Sequence, residues 1–376
     1  MKKKDSIDNE VFKENESSEK RIDKIRNLIN KRAGSKVSFD IKVKNPSNVD
    51  EWIPTGSRWL DSIISKGEMA GIPVGRILEV AGLESSGKSF LALQIAKNAL
   101  PKDFDIVLFD SESTLNTSFV EKMGIDTERF IYIQALSCEF VLETIEELLQ
   151  NNSKRMIFIW DSLAMTPCKA DVETDFNPQA TMAAKPRVLS KGFSKIMIPL
   201  NNHKSTLLIC NQLKTNITSN IAEKYINPYF TPGGKSPDFA YSLRIWLTAK
   251  KNKDSFIYNE NGEKIGSEIK AKIKKSKFGT EGRECEFSLL WGDYNVSIQD
   301  EESWIDAIKK SKYFKQSGPW NSIIFENGNE ERFQLSQWKE KLKDENFKKR
   351  VLEIMDDLLI KNCFDIKPQK VDDIIE

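Results

Sequence analysis

The stretch from residue 82 to residue 89 constrains the fold of this chain more than any other part of its sequence. It reads Gly-Leu-Glu-Ser-Ser-Gly-Lys-Ser, a complete GxxxxGK[ST] phosphate-binding loop. Residues 76–81 before it are apolar enough for a buried strand, and residues 90–100 after it favour a helix that ends at Pro101. Strand, glycine-rich loop and helix are the order that the motif requires, so the sequence predicts a bound nucleoside triphosphate.

The chemistry of such a loop assigns roles to its residues. Backbone amides curl around the phosphates at the helix N-terminus, the lysine spans the β and γ phosphates, and the next hydroxyl ligates magnesium. Lys88 and Ser89 take these last two roles. The predicted nucleotide contacts of the loop are Gly82, Glu84, Ser85, Ser86, Gly87, Lys88, Ser89 and Phe90.

Charge and cysteine content narrow the classes of partner and metal. The 376 residues carry 57 Lys and Arg against 56 Asp and Glu, so any contact with nucleic acid needs a local basic surface. Five cysteines without a CxxC pair and a single histidine disfavour a zinc site and a histidine-based hydrolase. Because no apolar run approaches the ~20 residues of a membrane span and the lysine-rich start lacks a signal-peptide core, we expect a cytoplasmic protein.

The residue pattern divides the chain into three predicted parts. Residues 1–50 form a polar arm with one amphipathic helix around residues 22–29, which packs either on its own core or on a neighbouring subunit. Residues 51–300 alternate strand-like and helical runs, which predicts an α/β core with a mostly parallel sheet between helices. The closely spaced later strands predict an antiparallel extension. Residues 301–376 favour a small C-terminal α/β domain.

Three further strand ends carry side chains that suit nucleotide hydrolysis. One apolar run ends at Asp161, which would hold the water shell of magnesium beside Ser89, unless it only caps a turn. A second run leads to Glu112, where a carboxylate can orient and deprotonate an attacking water; a solvated loop acid is the alternative. A third leads to Gln212, either a sensor of the γ-phosphate or a plain loop amide.

These elements and their order resemble the bacterial RecA recombinase family. The resemblance starts in residues 53–57 and 71–79 and includes the phosphate loop. It continues over residues 50–300 with Asp110-Ser111-Glu112, Asp161-Ser162-Leu163-Ala164, Asn211-Gln212, Asn227-Pro228, Thr231-Pro232-Gly233-Gly234 and Lys275-Ser276-Lys277. Only the phosphate loop is specific by itself, but the combination is highly specific. The lysine-rich arm and the short, variable C-terminal domain suit a phage-encoded member, similar to the UvsX-type recombinases.

The resemblance implies a RecA-like P-loop NTPase core that carries out ATP-dependent DNA strand exchange in helical filaments on single-stranded DNA. Lys275 and Lys277 match two lysines that reach the phosphates from the adjacent subunit; a solvated strand edge is the alternative. Asn116 and Phe119 match positions that bond and stack adenine, although the first is usually aspartate and the second also fits a core aromatic. Asp238 replaces a lysine that the family commonly has at the subunit interface.

The resemblance also assigns two DNA-binding loops. The second covers residues 214–232, where Tyr225 is the first choice for a wedge between base steps; a mobile surface loop is the alternative. The first lies within residues 169–185, and the start of the next helix adds two basic residues. The predicted DNA contacts are Arg187, Lys191, Lys214, Thr215, Asn216, Tyr225, Asn227, Tyr229, Phe230, Gly233 and Gly234.

Three functions are open on the sequence. The first is a recombinase with DNA-dependent ATPase activity, in which bound ATP orders Gln212 and the second DNA loop. The second is a ring-forming DNA motor or helicase, which would need an arginine finger and a separate N-terminal domain. The third is a non-catalytic mediator, which intact Lys88, Glu112 and Asp161 disfavour. The expected cofactors are ATP and Mg²⁺, and the expected partners are single- and double-stranded DNA, further copies of the chain, and single-strand-binding and loader proteins.

Overall fold

The computed structural model describes residues 17–43, 45–173, 184–216, 228–234, 236–249, 255–292 and 295–361. The α-helices in these ranges are α1 Ser18–Ala33, α2 Arg58–Ile64, α3 Lys88–Ala99, α4 Thr117–Lys122, α5 Cys138–Asn151, α6 Lys169–Glu173, α7 Ala184–His203, α8 Ser236–Ala240, α9 Trp304–Ile308, α10 Trp338–Lys341 and α11 Glu345–Asp356. The strands are β1 Trp52–Ile53, β2 Ile72–Pro73, β3 Ile77–Gly82, β4 Asp105–Asp110, β5 Phe130–Gln134, β6 Met156–Asp161, β7 Thr206–Gln212, β8 Lys214–Thr215, β9 Tyr229–Phe230, β10 Leu243–Ala249, β11 Phe256–Tyr258, β12 Lys264–Ser276, β13 Glu284–Gly292, β14 Asn295–Gln299, β15 Phe314–Ser317, β16 Trp320–Ile324 and β17 Glu330–Gln334. Contacts separate the chain into two compact units, residues 1–50 and 51–376.

In the first unit, α1 is the amphipathic helix that the sequence predicts. It ends at Gly34, whose φ of 67° is the left-handed conformation that glycine adopts without steric cost. The helix buries none of its residues, and the apolar side chains at positions 22, 25, 28 and 29 are between 39% and 48% exposed. No helix in the described ranges is long and apolar enough to cross a membrane. Whether α1 packs on its own chain or on a neighbouring subunit stays a prediction.

The second unit is built on one large sheet. In the described residues this sheet has ten strands in the order β14-β13-β12-β10-β3-β7-β6-β4-β5, with β11 paired to β12. The neighbours from β10 to β5 all pair in parallel, whereas β12, β13 and β14 pair antiparallel. This arrangement confirms the predicted α/β class and its antiparallel extension.

Both faces of the inner parallel strands β3, β4, β6 and β7 are covered, which is why these strands read as nearly continuous apolar runs. Alternate side chains of β6 enter two hydrophobic clusters, with Ile157 and Ile159 in one and Phe158 and Trp160 in the other. The first cluster includes α3 and the second includes residues of α5 and α7. Helices on both faces therefore hold the strand ends in fixed positions.

Residues beyond 300 form the antiparallel sheet β15-β16-β17 with α9 to α11 around it. The rings of Phe333, Trp338 and Phe347 pack with centroids 5.4 to 5.8 Å apart. These residues belong to the same hydrophobic cluster as β12 and β13. The sequence did not indicate that this segment shares its apolar cluster with the core, and a domain boundary at residue 300 stays a prediction.

Polar contacts also join α2 to this end of the chain. Ser57 Oγ and the Trp59 backbone N–H donate to Asp300 Oδ2 at 2.8 and 2.7 Å. Arg58 forms an ion pair with Asp356 at 2.6 Å. The start of the core is therefore held by residues that come some 240 to 300 positions later.

The buried carboxyl of Asp61 in α2 yields a prediction about pH. Its Oδ1 accepts hydrogen bonds from the Thr55 N–H at 2.9 Å and the Thr55 hydroxyl at 2.7 Å, and burial raises its pKa to about 7. Because the folded state binds this proton more tightly than the unfolded chain, its contribution to stability is complete below about pH 4 and is lost as the pH rises through 7.

Asp61→Asn keeps the acceptor oxygen and removes this titration. The unfolding free energy of the parent should fall between pH 4 and pH 8 as Asp61 ionises. Over the same pH range, we expect the unfolding free energy of the variant to fall by on the order of 2–4 kcal/mol less. Urea unfolding at both pH values measures the difference. If the unfolding free energies of the two proteins changed equally with pH, Asp61 would have an ordinary pKa in the folded state and the prediction would be wrong.

Candidate active site

The predicted catalytic side chains meet where adjacent parallel strands end. Strand register pairs Asp110 of β4 with Asp161 of β6, Asp161 with Cys210 of β7, and Gly82 of β3 with Gln212 of β7. One edge of the sheet therefore carries four predicted features: the loop of the base Glu112, the magnesium-side acid Asp161, the phosphate loop and the sensor Gln212. Open α/β sheets bind their ligands at this edge.

The phosphate loop curls closely on itself between β3 and α3. Lys88 Nζ and Ser86 Oγ both donate to the Leu83 carbonyl at 2.8 Å. A Cβ on Gly82 would lie 2.1 Å from Ser86 Oγ, and Gly87 enters α3 with a φ of 84°. Only glycine fits these two positions, so the loop forms the kind of cradle into which backbone amides can receive phosphate oxygens. The Phe90 side chain points into the core, so its predicted nucleotide contact reduces to its backbone amide.

Ser89 and Asp161 provide oxygens that suit a divalent cation. The Ser89 hydroxyl hydrogen-bonds the Asp161 carboxylate. Burial raises the pKa of Asp161, and the hydrogen bond from Ser89 opposes that rise. Hydroxyl and carboxylate oxygens are the ligands that magnesium prefers, and bound magnesium would favour the ionised form of the acid. The pair therefore fits the predicted metal site.

A network of hydrogen bonds holds the loop that carries Glu112. The Asp110 carboxylate accepts from the backbone N–H groups of Glu112 and Ser113, both at 2.8 Å, and from that of Thr114 at 3.1 Å. Ser162 Oγ then donates to Glu112 Oε1 at 2.7 Å. Glu112 is thus exposed to solvent but oriented by two buried neighbours. No sequence pattern predicts this role of Ser162, although its position directly after Asp161 is a signal that could have indicated it.

Asn116 and Phe119 line a cleft of about 270 Å³ that the metal-side residues Ser89 and Asp161 also line. Asn116 caps α4, with its side chain accepting from the Ser118 N–H at 2.9 Å. Phe119 packs edge-on against Phe90 with centroids 5.6 Å apart, as an ordinary core aromatic would. Their roles toward adenine stay predictions. The cleft is lined by Ser89, Leu93, Leu108, Asp110, Thr114, Leu115, Asn116, Phe119, Ile159 and Asp161.

A buried ion pair lies between the phosphate-loop strand and its neighbours. Arg244 Nε of β10 donates to Glu79 Oε2 of β3 at 2.6 Å, and Asn211 Nδ2 of β7 donates to Glu79 Oε1 at 2.9 Å. Burial raises the pKa of Glu79, while the Arg244 guanidinium and the Asn211 amide oppose that rise. All three side chains are buried. These three residues were not predicted to interact, although a glutamate inside an apolar strand is a signal visible in the sequence.

The same group reaches the base of the second predicted DNA loop. Asn211 Nδ2 also donates to the Pro232 carbonyl at 3.1 Å, and its Oδ1 accepts from the Gln212 N–H at 3.0 Å. Arg244 donates to Thr231 Oγ1 at 2.8 Å and pairs with Asp238 at 2.8 Å. The strand that ends in the predicted sensor is thus bonded to the end of the predicted loop.

The ends of both predicted DNA loops converge on α7. A short ladder pairs Lys214 with Phe230 and Thr215 with Tyr229, a feature that the sequence did not predict. A Cβ on Gly233 would lie 3.3 Å from Leu189 of α7, and one on Gly234 would lie 3.1 Å from Pro186. Other predicted DNA contacts in the described residues are exposed or half-buried: Arg187, Lys191, Lys214, Thr215, Asn216, Tyr229 and Phe230. Tyr225 and Asn227 lie outside the described residues, as do positions 174–183 of the first loop.

Lys275 and Lys277 lie away from the phosphate loop of their own chain. Register places Lys275 of β12 opposite Arg244, and the Lys277 N–H donates to the Ser242 carbonyl at 2.9 Å. Lys275 Nζ donates to the Asp238 carbonyl, and burial together with Lys277 lowers the pKa of Lys275. The structure does not bring these lysines to Lys88 within one chain, so a role at a phosphate requires a second subunit.

Comparison with known proteins agrees with this geometry. The family model described as the RecA N-terminal domain matches residues 20–295. A protein named RecA from Fusobacterium nucleatum is 29% identical over 366 residues, which cover 97% of this chain and 89% of the relative. The protein named RecA from Helicobacter hepaticus is 31% identical, and the match covers 82% of this chain and 84% of the relative. The protein named RecA from Aquifex aeolicus is 30% identical, and the match covers 78% of this chain and 80% of the relative.

Proposed function

Because this chain belongs to the RecA family, we propose that it is an ATP-dependent DNA strand-exchange recombinase that forms helical filaments on single-stranded DNA. The observation that best supports this proposal is the Asn211 side chain, which bonds Glu79 of the phosphate-loop strand and Pro232 at the end of the second predicted DNA loop. A change at the nucleotide edge of the sheet can therefore reach the loop through two hydrogen bonds. That coupling is what a nucleotide-switched DNA-binding protein needs.

Residues of this chain divide the hydrolytic work among themselves. Lys88 leaves the Leu83 carbonyl to bind phosphate oxygens, and the backbone amides of residues 84–90 complete the phosphate contacts. Glu112, oriented by Asp110 and Ser162, takes a proton from the attacking water. Gln212 responds to the γ-phosphate at the end of β7. Mg²⁺ held by Ser89 and Asp161 would neutralise phosphate charge.

Contacts with further copies of the chain complete the proposal. Lys275 and Lys277 bind the phosphates of an adjacent subunit, which agrees with their distance from Lys88 in their own chain. The exposed apolar face of α1 packs on a neighbouring subunit. We place single-strand-binding and loader proteins among the partners and the activity in the cytoplasm of a bacterium or a phage-infected host. The UvsX-type assignment also remains part of this proposal.

DNA binding is assigned to the two loops and to α7, the helix that follows the first loop. Arg187 and Lys191 are four positions apart on exposed turns of α7 and suit phosphate contacts. Phe230 is 48% exposed at the base of the second loop, where an aromatic ring can stack on a base. Tyr225 remains the proposed wedge between base steps.

ATP hydrolysis with and without single-stranded DNA tests the function directly. We expect stimulation on the order of tenfold or more, since coupling energies of 1–3 kcal/mol correspond to about 5–150-fold. The same sample with a non-hydrolysable ATP analogue should show helical filaments by negative-stain microscopy. Closed rings that hydrolyse ATP would indicate a motor instead, and filaments without stimulated turnover would indicate a mediator.

A further inference from the structure

Two cysteines that are thirty positions apart in sequence lie against each other in the fold. Cys138 is the first residue of α5, and Cys168 immediately precedes α6. The Cys138 N–H donates to the carbonyl of Pro167, the residue just before Cys168, at 2.8 Å, and Cys138 Sγ donates to the Thr166 carbonyl at 3.5 Å. The neighbouring Cys168 thiol and burial together raise the pKa of Cys138. Both are reduced and fully buried.

The backbone at this point suits a disulfide. Disulfides need Cα atoms roughly 4.4–6.8 Å apart with side chains that face each other. A backbone hydrogen bond between Cys138 and the residue next to Cys168 sets the two chain segments at the spacing of hydrogen-bonded neighbours, and Cys138 Sγ points toward the same segment, at the Thr166 carbonyl. No large backbone movement is therefore required to join the sulfurs.

The chemistry around the pair distinguishes its two members. The neighbouring Cys138 thiol lowers the pKa of Cys168, and the cation of Lys185 acts in the same direction. Lys185 is held close by donating to the carbonyls of Leu163 at 2.8 Å and Ala164 at 3.1 Å. Cys168 is thus the thiol that ionises first and attacks an oxidant, and Cys138 is the thiol that resolves the product.

Access to the pair depends on α6. This helix has five residues and buries none of them, so its local opening exposes Cys168 without disturbing the large sheet. Two polar contacts hold the segment at the surface: the Lys169 N–H donates to Glu139 at 2.9 Å, and the Lys169 ammonium pairs with Glu143 at 3.2 Å. Small oxidants can reach the sulfur when these surface contacts open.

We propose that Cys138 and Cys168 form a reversible disulfide that ties the start of α5 to the entry of the first predicted DNA loop. A hydroperoxide supplies the oxidising equivalents. The Cys168 thiolate attacks one peroxide oxygen, so that an S–O bond forms as the O–O bond breaks. Cys168 becomes a sulfenic acid, and the other oxygen takes up a proton and leaves as water or an alcohol. Cys138 then attacks the sulfenic sulfur and releases water. Two thiols lose two electrons and two protons in total, and a dithiol reverses the change.

The consequence for DNA binding rests on the proposed function. Cys168 directly precedes residues 169–185, the segment assigned to the first DNA loop, and Thr166 is tied back to the metal-side turn by donating to the Ser162 carbonyl at 2.9 Å. A disulfide would fix the start of that loop to α5. We expect oxidised protein to bind single-stranded DNA about tenfold more weakly, a coupling of ordinary size between two sites.

Mapping the disulfide does not depend on DNA. The full chain is treated with hydrogen peroxide, its remaining thiols are alkylated, and its peptides are examined by mass spectrometry. We expect a Cys138–Cys168 cross-linked peptide in at least about tenfold excess over any other cysteine pairing, reversed by dithiothreitol. Cys138→Ser and Cys168→Ala should abolish it. Cys285→Ala should retain it, since Cys285 is buried in β13 away from the pair.

The outcomes separate the site from its effect. Mixed pairings, or over-oxidised cysteine without the cross-link, would show that the two thiols only pack together and would overturn the proposal. A mapped disulfide with unchanged DNA affinity would refute the regulatory effect but leave the modification site. If the reduced protein fails to bind DNA at all, the proposed function fails, while the peptide map still decides the disulfide.

Discussion

Glu112→Gln should lower ATP turnover by about 10²–10⁴-fold, the usual contribution of a general base. Glutamine keeps an oxygen that accepts the hydrogen bond from Ser162, so the loop should stay in place. The variant should bind ATP and single-stranded DNA within about twofold of the parent, because the acid acts on water and not on binding. Phosphate release and titration with a fluorescent nucleotide measure the two quantities separately.

Glu121→Gln is the matched control for this change. Glu121 is also an exposed glutamate, and it lies nearby in α4 but does not line the cleft. Its substitution should leave turnover unchanged. Turnover above about one tenth of the parent rate in Glu112→Gln would move the role of base to another group, whereas equal losses in both variants would indicate general damage to this region.

Arg244→Ala should cost about 3–5 kcal/mol of unfolding free energy, which is the typical cost of removing one partner from a buried ion pair. The substitution leaves the fully buried carboxylate of Glu79 with the Asn211 amide as its remaining hydrogen-bond donor among the described residues, and it removes the bonds to Thr231 and Asp238. Urea unfolding measures the loss. Arg332→Ala, which removes an exposed arginine that lies over Trp320, should cost less than about 1 kcal/mol.

The loss in Arg244→Ala should also depend on pH. Without the guanidinium the pKa of Glu79 rises further, so the folded variant takes up a proton that the unfolded chain releases. Its deficit in stability should therefore be larger at pH 8 than at pH 6. Adding Glu79→Gln to Arg244→Ala removes the buried charge and should recover part of the loss. A deficit that is the same at both pH values and in the double variant would show that packing, not charge, holds this site together.

The sequence predicted the parts of the site that lie on single strand ends. Asp161, Glu112 and Gln212 each follow an apolar run, and parallel strands bring such ends to one edge. The antiparallel extension was likewise readable, because β12 and β13 are close in sequence and rich in alternating apolar residues. The phosphate loop needed no tertiary information, since its chemistry lies in consecutive residues.

Contacts between distant segments were beyond the reach of the sequence pattern. The Glu79–Arg244 pair joins residues 165 positions apart and depends on β10 lying beside β3, which no local pattern specifies. Cys138 and Cys168 carry no spacing motif and meet only because the segment after β6 returns to the start of α5. The position of Ser162 directly after Asp161 is visible in the sequence. Its hydrogen bond to Glu112 is not, because that bond depends on the register of β4 and β6.

The bonds from Ser57 and Trp59 to Asp300 bear on how the nascent chain folds. Ser57 leaves the ribosome 243 residues before its partner. At about 5–20 residues per second, synthesis of that interval takes on the order of 10–50 s. During that time α2 lacks its final anchor, and until residue 249 has been made β3 lacks one or both of β7 and β10, the two strands that flank it in the finished sheet. The emerging polypeptide therefore exposes the apolar strand β3 until its two partners follow, which favours co-translational chaperone binding.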